Sequence, residues 1–290
     1  MRFYRIAIVQ HLLKNDTTVI ERAIYDHCKS NGIMCLQYDP DDERFRDSKD
    51  IPTLFIAIGG DGTMLYTVKE SIKFKDATVL GISGGNLNFL TDQYTPEEAI
   101  DMIERIRRDD PDLFLDARTL VKATYHANSN PHLPYEEVAY ALNEITVAPS
   151  SLSAMLRYTI DINGKPLASQ GGSGVLVATA TGSTAMAMSS GGAIVSPTSI
   201  GLQIVPIASH SLSSRPVVVS NHDTITIKAP TTDRITNVEL LVDGQAVYNF
   251  NRQNAEFTVT ITAAERQALI WRPDDWNFFD VLRDKMGWDT

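Results

Sequence analysis

Cysteine is nearly missing from this sequence: Cys28 and Cys35 are the only two in 290 residues. Their spacing makes no CxxC motif and no second pair completes a metal site, so they read as two reduced thiols. An excess of positive charge is missing as well. Lys and Arg total 26 against 36 Asp and Glu, a formal net charge of −10. Non-specific nucleic-acid binding rests on Lys and Arg neutralising phosphates, so nucleic acid is excluded as the main partner. A small phosphorylated substrate stays open, because backbone N–H groups and a metal ion can hold phosphates inside an acidic protein. No apolar stretch approaches the length of a bilayer span, and the run near Met1 is too short for a signal-peptide core. No membrane partner and a cytoplasmic location are therefore expected. The hydrophobic (43%) and charged (21%) fractions are those of an ordinary globular chain, with length for one large or two ordinary domains.

What is present first is alternation. Ile6–Val9, Ile33–Tyr38, Leu54–Ile58 and Val79–Ile82 are short apolar runs typical of buried strands. Helix-spaced apolar residues occupy Asp16–Lys29, and a helix is expected from about Met64 to Ser71. Another opens at Thr95-Pro96-Glu97-Glu98, with Thr as N-cap, Pro at the first position and Glu completing a capping box. Strand–helix alternation implies a mainly parallel sheet covered by helices. After about Leu115 the period shortens to two in Leu120–Tyr125, Leu142–Val147, Arg157–Ile162, Thr224–Lys228, Val238–Val242 and Glu256–Ile261. Asn163-Gly164 and Asp243-Gly244 supply hairpin turns. The fold class expected is α/β: an N-terminal Rossmann-like α/β domain over 1–115, then an antiparallel β-rich (β-sandwich) domain over 116–265. The tail, 266–290, reads as a short helix within Asp274–Met286 that lines up Trp276, Phe279 and Leu282 for docking.

Gly59-Gly-Asp-Gly-Thr63 is the most informative segment. It follows the apolar run Leu54–Ile58 and precedes a helix, which places it at the carboxyl end of a parallel strand, where open α/β sheets bind ligands. Gly60 and Gly62 let the backbone approach a phosphate, and the helix terminus, beginning near Thr63, points N–H groups at it. A carboxylate beside phosphate is repelled, so Asp61 needs a reason to be there. It either accepts the proton of an attacking hydroxyl, meets a metal-bound water, or merely bonds its own backbone in a tight turn. No Gly-Lys-Ser/Thr follows, so this is not a Walker A loop; the Asp breaks the GxGxxG spacing, so it is not the dinucleotide fingerprint.

Four other segments stand out. Gly81-Ile-Ser-Gly-Gly-Asn-Leu-Asn-Phe-Leu-Thr-Asp92 ends a second strand with glycines. Asn143-Glu144 pairs an amide with a carboxylate, which suits vicinal ribose hydroxyls or is simply an exposed strand end. Gly171–Pro197, with Thr181-Gly-Ser-Thr-Ala185 and Ser189-Ser-Gly-Gly, either lets a nucleotide approach the backbone or forms a small-residue helix. Pro206–Pro216 carries His210 and Arg215, a structural donor and a phosphate or carboxylate partner in prospect.

In this order, the motifs resemble the NAD kinase family from Gly59–Thr63 to Asp243-Gly244-Gln245. The Gly-Gly-Asp-Gly-Thr turn alone is shared with diacylglycerol and sphingosine kinases; Gly81–Asp92, Asn143-Glu144, Thr181–Ala185 and His210–Pro216 make the resemblance specific. It implies ATP-dependent phosphorylation of the adenosine-ribose 2′-hydroxyl of NAD to NADP, with Asp61 as base. Gly60, Gly62, Thr63, Phe89, Asn143, Glu144, Ser173, Thr181, Thr184, Ala185 and Ser189 would bind NAD and ATP. Magnesium or another divalent cation would come with ATP, with no protein ligand assigned. A homo-oligomer, tetramer or dimer, and a tail returning to the N-terminal domain are also implied. The sequence departs from the family at Ser173 (usually Asp), Ala180 (Pro), Met186 (Tyr) and Asn88 (Gly). Met186 replaces a rigid aromatic contact by a flexible thioether. The alternatives are a lipid kinase sharing the glycine turn, and an NAD(P)-binding sensor with little turnover.

Overall fold

The computed structural model describes residues 3–10, 15–83, 88–126, 136–151, 154–230, 237–251 and 256–288. Its contacts divide the chain into two compact units, Met1–Arg118 with Gln267–Thr290, and Thr119–Arg266.

The first unit is built on the apolar runs. Arg5–Gln10 pairs in parallel with Met34–Gln37 on one side and Thr53–Ile58 on the other; Thr53–Ile58 pairs with Thr78–Ser83, and Ile270 lies beside Val79 at the far edge. All six residues of Thr53–Ile58 are buried, as expected of a central strand covered on both faces. On one face lie the helices Asn15–Ser30 and Pro96–Arg108, which bury Ile20, Ile24, Ala99, Met102, Ile103 and Ile106 against Ile6, Ile8, Leu54, Ile56 and Leu80. Pro96–Arg108 begins with the full capping box of Thr95 and Glu98 and stops at Asp109 in the left-handed region. The other face carries the helix Asp61–Ser71 and an edge-to-face aromatic cluster of Tyr38, Phe45, Phe55 and Phe74. Arg5, 1% exposed, lies over the Phe45 ring and hydrogen-bonds Thr53 and Ser48, so its charge is buried among neutral acceptors.

The second unit is antiparallel throughout. Six strands are ordered Val217–Val219, Leu202–Ile207, Gly174–Ala178, Glu144–Pro149, Asn237–Val242, Gln245–Asn251. A second set pairs Lys165–Gly172 with Leu156–Ile162, then Ile225–Pro230, then the strand beginning at Glu256. Alternate residues of both sets, including Ile145, Val147, Val175, Val177, Tyr158, Ile160, Ile227 and Val259, share one core, which makes a sandwich. Asn163 and Asp243, both at positive φ, form the two hairpin turns with the glycines that follow them.

Three details differ from the sequence reading. The strand starting at Glu256 does not end at Ile261 but runs to Pro273. Its middle stretch, Thr262–Gln267, has Ala, Glu, Arg and Gln, which carry little strand signal of their own. Gly174–Ala178, buried at all five positions, is a strand rather than part of a small-residue helix. The tail helix starts only at Phe278, capped by Asn277. That phase sends Leu282 inward and leaves Phe279 60% exposed, while Trp276 precedes the helix and stacks under Arg272. Among the described residues no helix is long and apolar enough to cross a membrane.

Candidate functional site

In the first unit, Thr53–Ile58 delivers the chain to Gly59, whose N–H bonds Ile82 O at 2.8 Å. Side chains are excluded at two points here. A Cβ on Gly59 would overlap the Thr63 hydroxyl, and one on Gly81 would stand 2.9 Å from both Leu90 O and Thr91 Cγ2. Gly60 caps the helix Asp61–Ser71 without any side-chain cap, so its first N–H groups remain directed outward and the positive helix end faces the turn. Gly62 is exposed with open space where a Cβ would be, and Thr63 is half-buried.

Asp61, the first helical residue, does not bond its own turn. Its Oδ1 accepts the Leu90 N–H at 2.9 Å and its Oδ2 the Phe89 N–H at 3.2 Å. The carboxylate is thus clamped from the segment after the neighbouring strand, while its side chain stays 32% exposed. Asn88 donates to Ser83 Oγ and Thr91 Oγ1, each at 3.0 Å, and so fixes that segment where the family usually has glycine. Arg272 secures its other end, bonding Asp92 at 2.6 Å and Leu90 O at 3.1 Å. Residues 84–87 of the same glycine-rich segment lie outside the described residues.

In the second unit, Asn143 and Glu144 open the strand Glu144–Pro149. Asp243, at the tip of its hairpin, accepts the N–H groups of Leu142 (3.0 Å), Asn143 (2.7 Å) and Glu144 (3.2 Å). Thr179 ties the same backbone from the other side, its hydroxyl donating to Leu142 O at 2.6 Å and accepting Gly182 N–H at 3.1 Å. Gly182 lies so close that a Cβ would overlap the Asn143 carbonyl. The turn Thr181–Thr184 and the short helix Met186–Ser189 therefore sit directly against Asn143-Glu144. Glu144 is 4% exposed, and one of its carboxyl oxygens has no hydrogen-bond partner. Burial, aided by the Asp243 charge and opposed by the Met186 N–H, pushes its carboxyl up to about 7. An orphaned buried oxygen of this kind is poised for an outside donor.

Five of the candidate residues, Asn143, Glu144, Thr181, Thr184 and Ala185, are thus gathered in one cluster, with Ser189 exposed at the end of the short helix. Ser173 is not among them. Ala178 pairs with Glu144, whereas Ser173 is five residues back along the strand direction, roughly 16 Å at the rise of an extended chain. Arg215 is exposed and donates to Leu212 O and Ser214 O of its own loop, and His210 is exposed, with its N–H on Gly171 O. Sequence reasoning missed Asp243, which it took only as a turn residue, as well as Thr179 and Lys285. Lys285 Nζ stands 3.8 Å from Asp61 Oδ2, a contact between residues 224 positions apart that no local pattern announces.

Comparison with known proteins places the chain among relatives. The family model for the ATP-NAD kinase N-terminal domain matches residues 37–110, and that for the ATP-NAD kinase C-terminal domain matches 142–272. The chain is 29% identical to an NAD kinase of Francisella tularensis subsp. tularensis, over 99% of this chain and 97% of that one. It is 33% identical to an NAD kinase of Halorhodospira halophila, over 81% and 73%, and 32% identical to that of Sulfurimonas denitrificans, over 80% and 76%. Its fold is similar to yeast NADH kinase complexed with NADH (TM-score 0.84, 20% identity, 100% of this chain and 89% of that one). It is also similar to an Archaeoglobus fulgidus NAD kinase in complex with ATP (TM-score 0.70, 23% identity, 98% and 97%). On these matches and the residues that carry them, the chain belongs to the NAD kinase family.

Proposed function

We propose that this enzyme transfers the γ-phosphoryl group of ATP to the 2′-hydroxyl of the adenosine ribose of NAD, giving NADP and ADP, with Asp61 as the base. The observation that carries the role of Asp61 is its clamp. Two backbone N–H groups hold the carboxylate at the mouth of an uncapped helix terminus, leaving it partly open to a hydroxyl. The 2′-oxygen attacks the γ-phosphorus as its bond to the β,γ-bridging oxygen breaks; the hydroxyl proton passes to Asp61 and ADP leaves. Positioning and charge neutralisation do most of the work in such a transfer.

The residues suited to hold the acceptor ribose are Asn143 and Glu144. Glu144, with its unsatisfied oxygen, accepts from a ribose hydroxyl, and the Asn143 amide adds the second contact. Thr181, Thr184, Ala185 and Ser189 line the same bed. The clustered residues favour this over a lipid acceptor, which has no ribose to occupy Asn143-Glu144. Ser173 is assigned no contact in this bed; its place at the other end of the strand suits a different part of the dinucleotide.

Magnesium fits as a companion of ATP. One carboxylate beside phosphate oxygens is the usual donor set for that ion, and it would neutralise the charge developing on the phosphates. The protein residue in reach is Asp61, directly or through a water. The cytoplasm is the proposed location. A homo-oligomer is proposed on the exposed apolar residues Val217 and Val218, on the edge strand of the second unit, together with Leu212.

The test is incubation with NAD, ATP and magnesium, with NADP read by an NADP-specific dehydrogenase. Asp61→Asn keeps at most one of the two backbone hydrogen bonds, its amide NH2 meeting the other N–H as donor against donor, and it cannot take the proton, so turnover should fall by about 10²–10⁴-fold. A folded Asp61→Asn enzyme with near-normal turnover would falsify the role.

A further inference from the structure

The tail helix Phe278–Met286 ends beside the glycine turn. Lys285 lies in its last turn, just before Gly287 in the left-handed region. Its ammonium lies over the Phe89 ring, with Nζ 4.6 Å from the ring centroid, and reaches within 3.8 Å of Asp61 Oδ2. The side chain is 28% exposed, so it is held against this surface rather than extended into solvent. Phe89 thus does two things at once: its backbone N–H clamps Asp61, and its ring carries the cation facing Asp61.

The neighbouring cations are already committed. Arg272 is 1% exposed and paired with Asp92, and Arg283 is paired with Asp280 at 2.9 Å. Lys285 is not so bound. At 3.8 Å its contact with Asp61 is longer than a hydrogen bond, and the flexible four-carbon stem lets the ammonium turn through several ångströms at small cost. A phosphate chain entering between the helix terminus and Asp61 brings negative charge against a carboxylate, and the helix dipole offsets only part of that repulsion.

We propose that Lys285 is the donor-binding lysine of this enzyme. In the free protein its ammonium rests on Phe89 and screens Asp61. When ATP arrives it turns to the γ-phosphate oxygens, leaving Asp61 free to meet the acceptor hydroxyl. Its role is that of a positive charge placed against the phosphate. This rests on Asp61 marking the phosphoryl-transfer site.

The experiment uses the full chain and its Lys285→Met and Lys285→Arg variants, with Phe279→Ala as a control on the same helix at an exposed position. Calorimetry with ATP and magnesium measures donor affinity directly, and steady-state kinetics give KM for ATP and for NAD separately. Lys285→Met should weaken ATP binding and raise its KM by about 10–100-fold, the range of a lost hydrogen bond to a charged group. The KM for NAD and the melting temperature should stay near wild type, and Lys285→Arg should recover most of the loss. Unchanged ATP affinity in Lys285→Met overturns the proposal. So does a joint rise of both KM values with a lowered melting temperature that Arg does not rescue, since that is the mark of a helix pin. A wild-type protein that makes no NADP yet loses ATP affinity on Lys285→Met would overturn the kinase reading and uphold the lysine's role. NADP formation with no dependence of ATP affinity on Lys285 would do the reverse.

Discussion

Glu144→Gln should make the protein more stable relative to wild type as the pH rises, while making it a worse enzyme. The carboxyl is 4% exposed, lies near the Asp243 charge, and is pushed from 4.5 to about 7. The folded state thus holds its proton more tightly than the unfolded chain does. Its contribution to stability is fully present below the unfolded value near 4.5 and is lost as pH rises through 7, because the native fold must then carry a buried charge. The shift of about 2.5 units corresponds to roughly 3 kcal/mol at pH 8, of which about 2–3 kcal/mol develops between pH 5 and pH 8. Gln cannot ionise, and its carbonyl can still accept the Met186 N–H, so only the wild type suffers this loss. Its amide does leave a donor in need of a partner, a pH-independent cost of about 1–3 kcal/mol. The quantity to measure is therefore the change with pH: urea or thermal unfolding of both proteins from pH 5 to pH 8. The gap should move in favour of Glu144→Gln by about 2–3 kcal/mol across that range. A gap that stays flat with pH would refute the reasoning, because it would mean that Glu144 ionises as easily in the fold as outside it. In the same variant KM for NAD should rise at pH 8. In the wild type KM for NAD should climb as pH falls below 7, where the protonated carboxyl accepts a ribose hydroxyl less well.

Three further outcomes are expected. Gly182→Ala puts a Cβ into the Asn143 carbonyl, so a cost of about 1–3 kcal/mol in unfolding free energy should accompany a raised KM for NAD and an unchanged KM for ATP. Arg272→Met removes the cation from Asp92 and Leu90 O while leaving Asp92 and Asp116 without it; denaturation should show a loss of about 3–5 kcal/mol, accompanied by a fall in turnover as the Asp61 clamp loosens. Asp243→Asn should disturb the three N–H groups it holds and raise KM for NAD with the Asp61 chemistry intact, which kcat at saturating NAD would reveal. Normal KM values for both substrates in that variant would show the clamp to be dispensable.

Much of this was written locally. The parallel strands of the first unit follow from short apolar runs, the helix Pro96–Arg108 from its capping box, and the two hairpins from Asn163-Gly164 and Asp243-Gly244, because each of these signals acts within a few residues. The Gly59–Thr63 turn and Asn143-Glu144 stood out as candidates for the same reason: residue types suited to phosphate and ribose stand next to one another in the chain. What the sequence could not carry was contact across distance. The strand continues through Thr262–Gln267, residues that carry little strand signal of their own. Ser173 and Thr181 are close in sequence, yet an extended strand sets them apart, while Asp243 and Asn143, 100 positions apart, share a hydrogen bond. The tertiary structure alone turned Asp61 away from its own turn to Phe89 and Leu90, and set Lys285 beside it. Local periodicity decides which elements form; only packing decides which of their ends meet, and the candidate site is assembled from those ends.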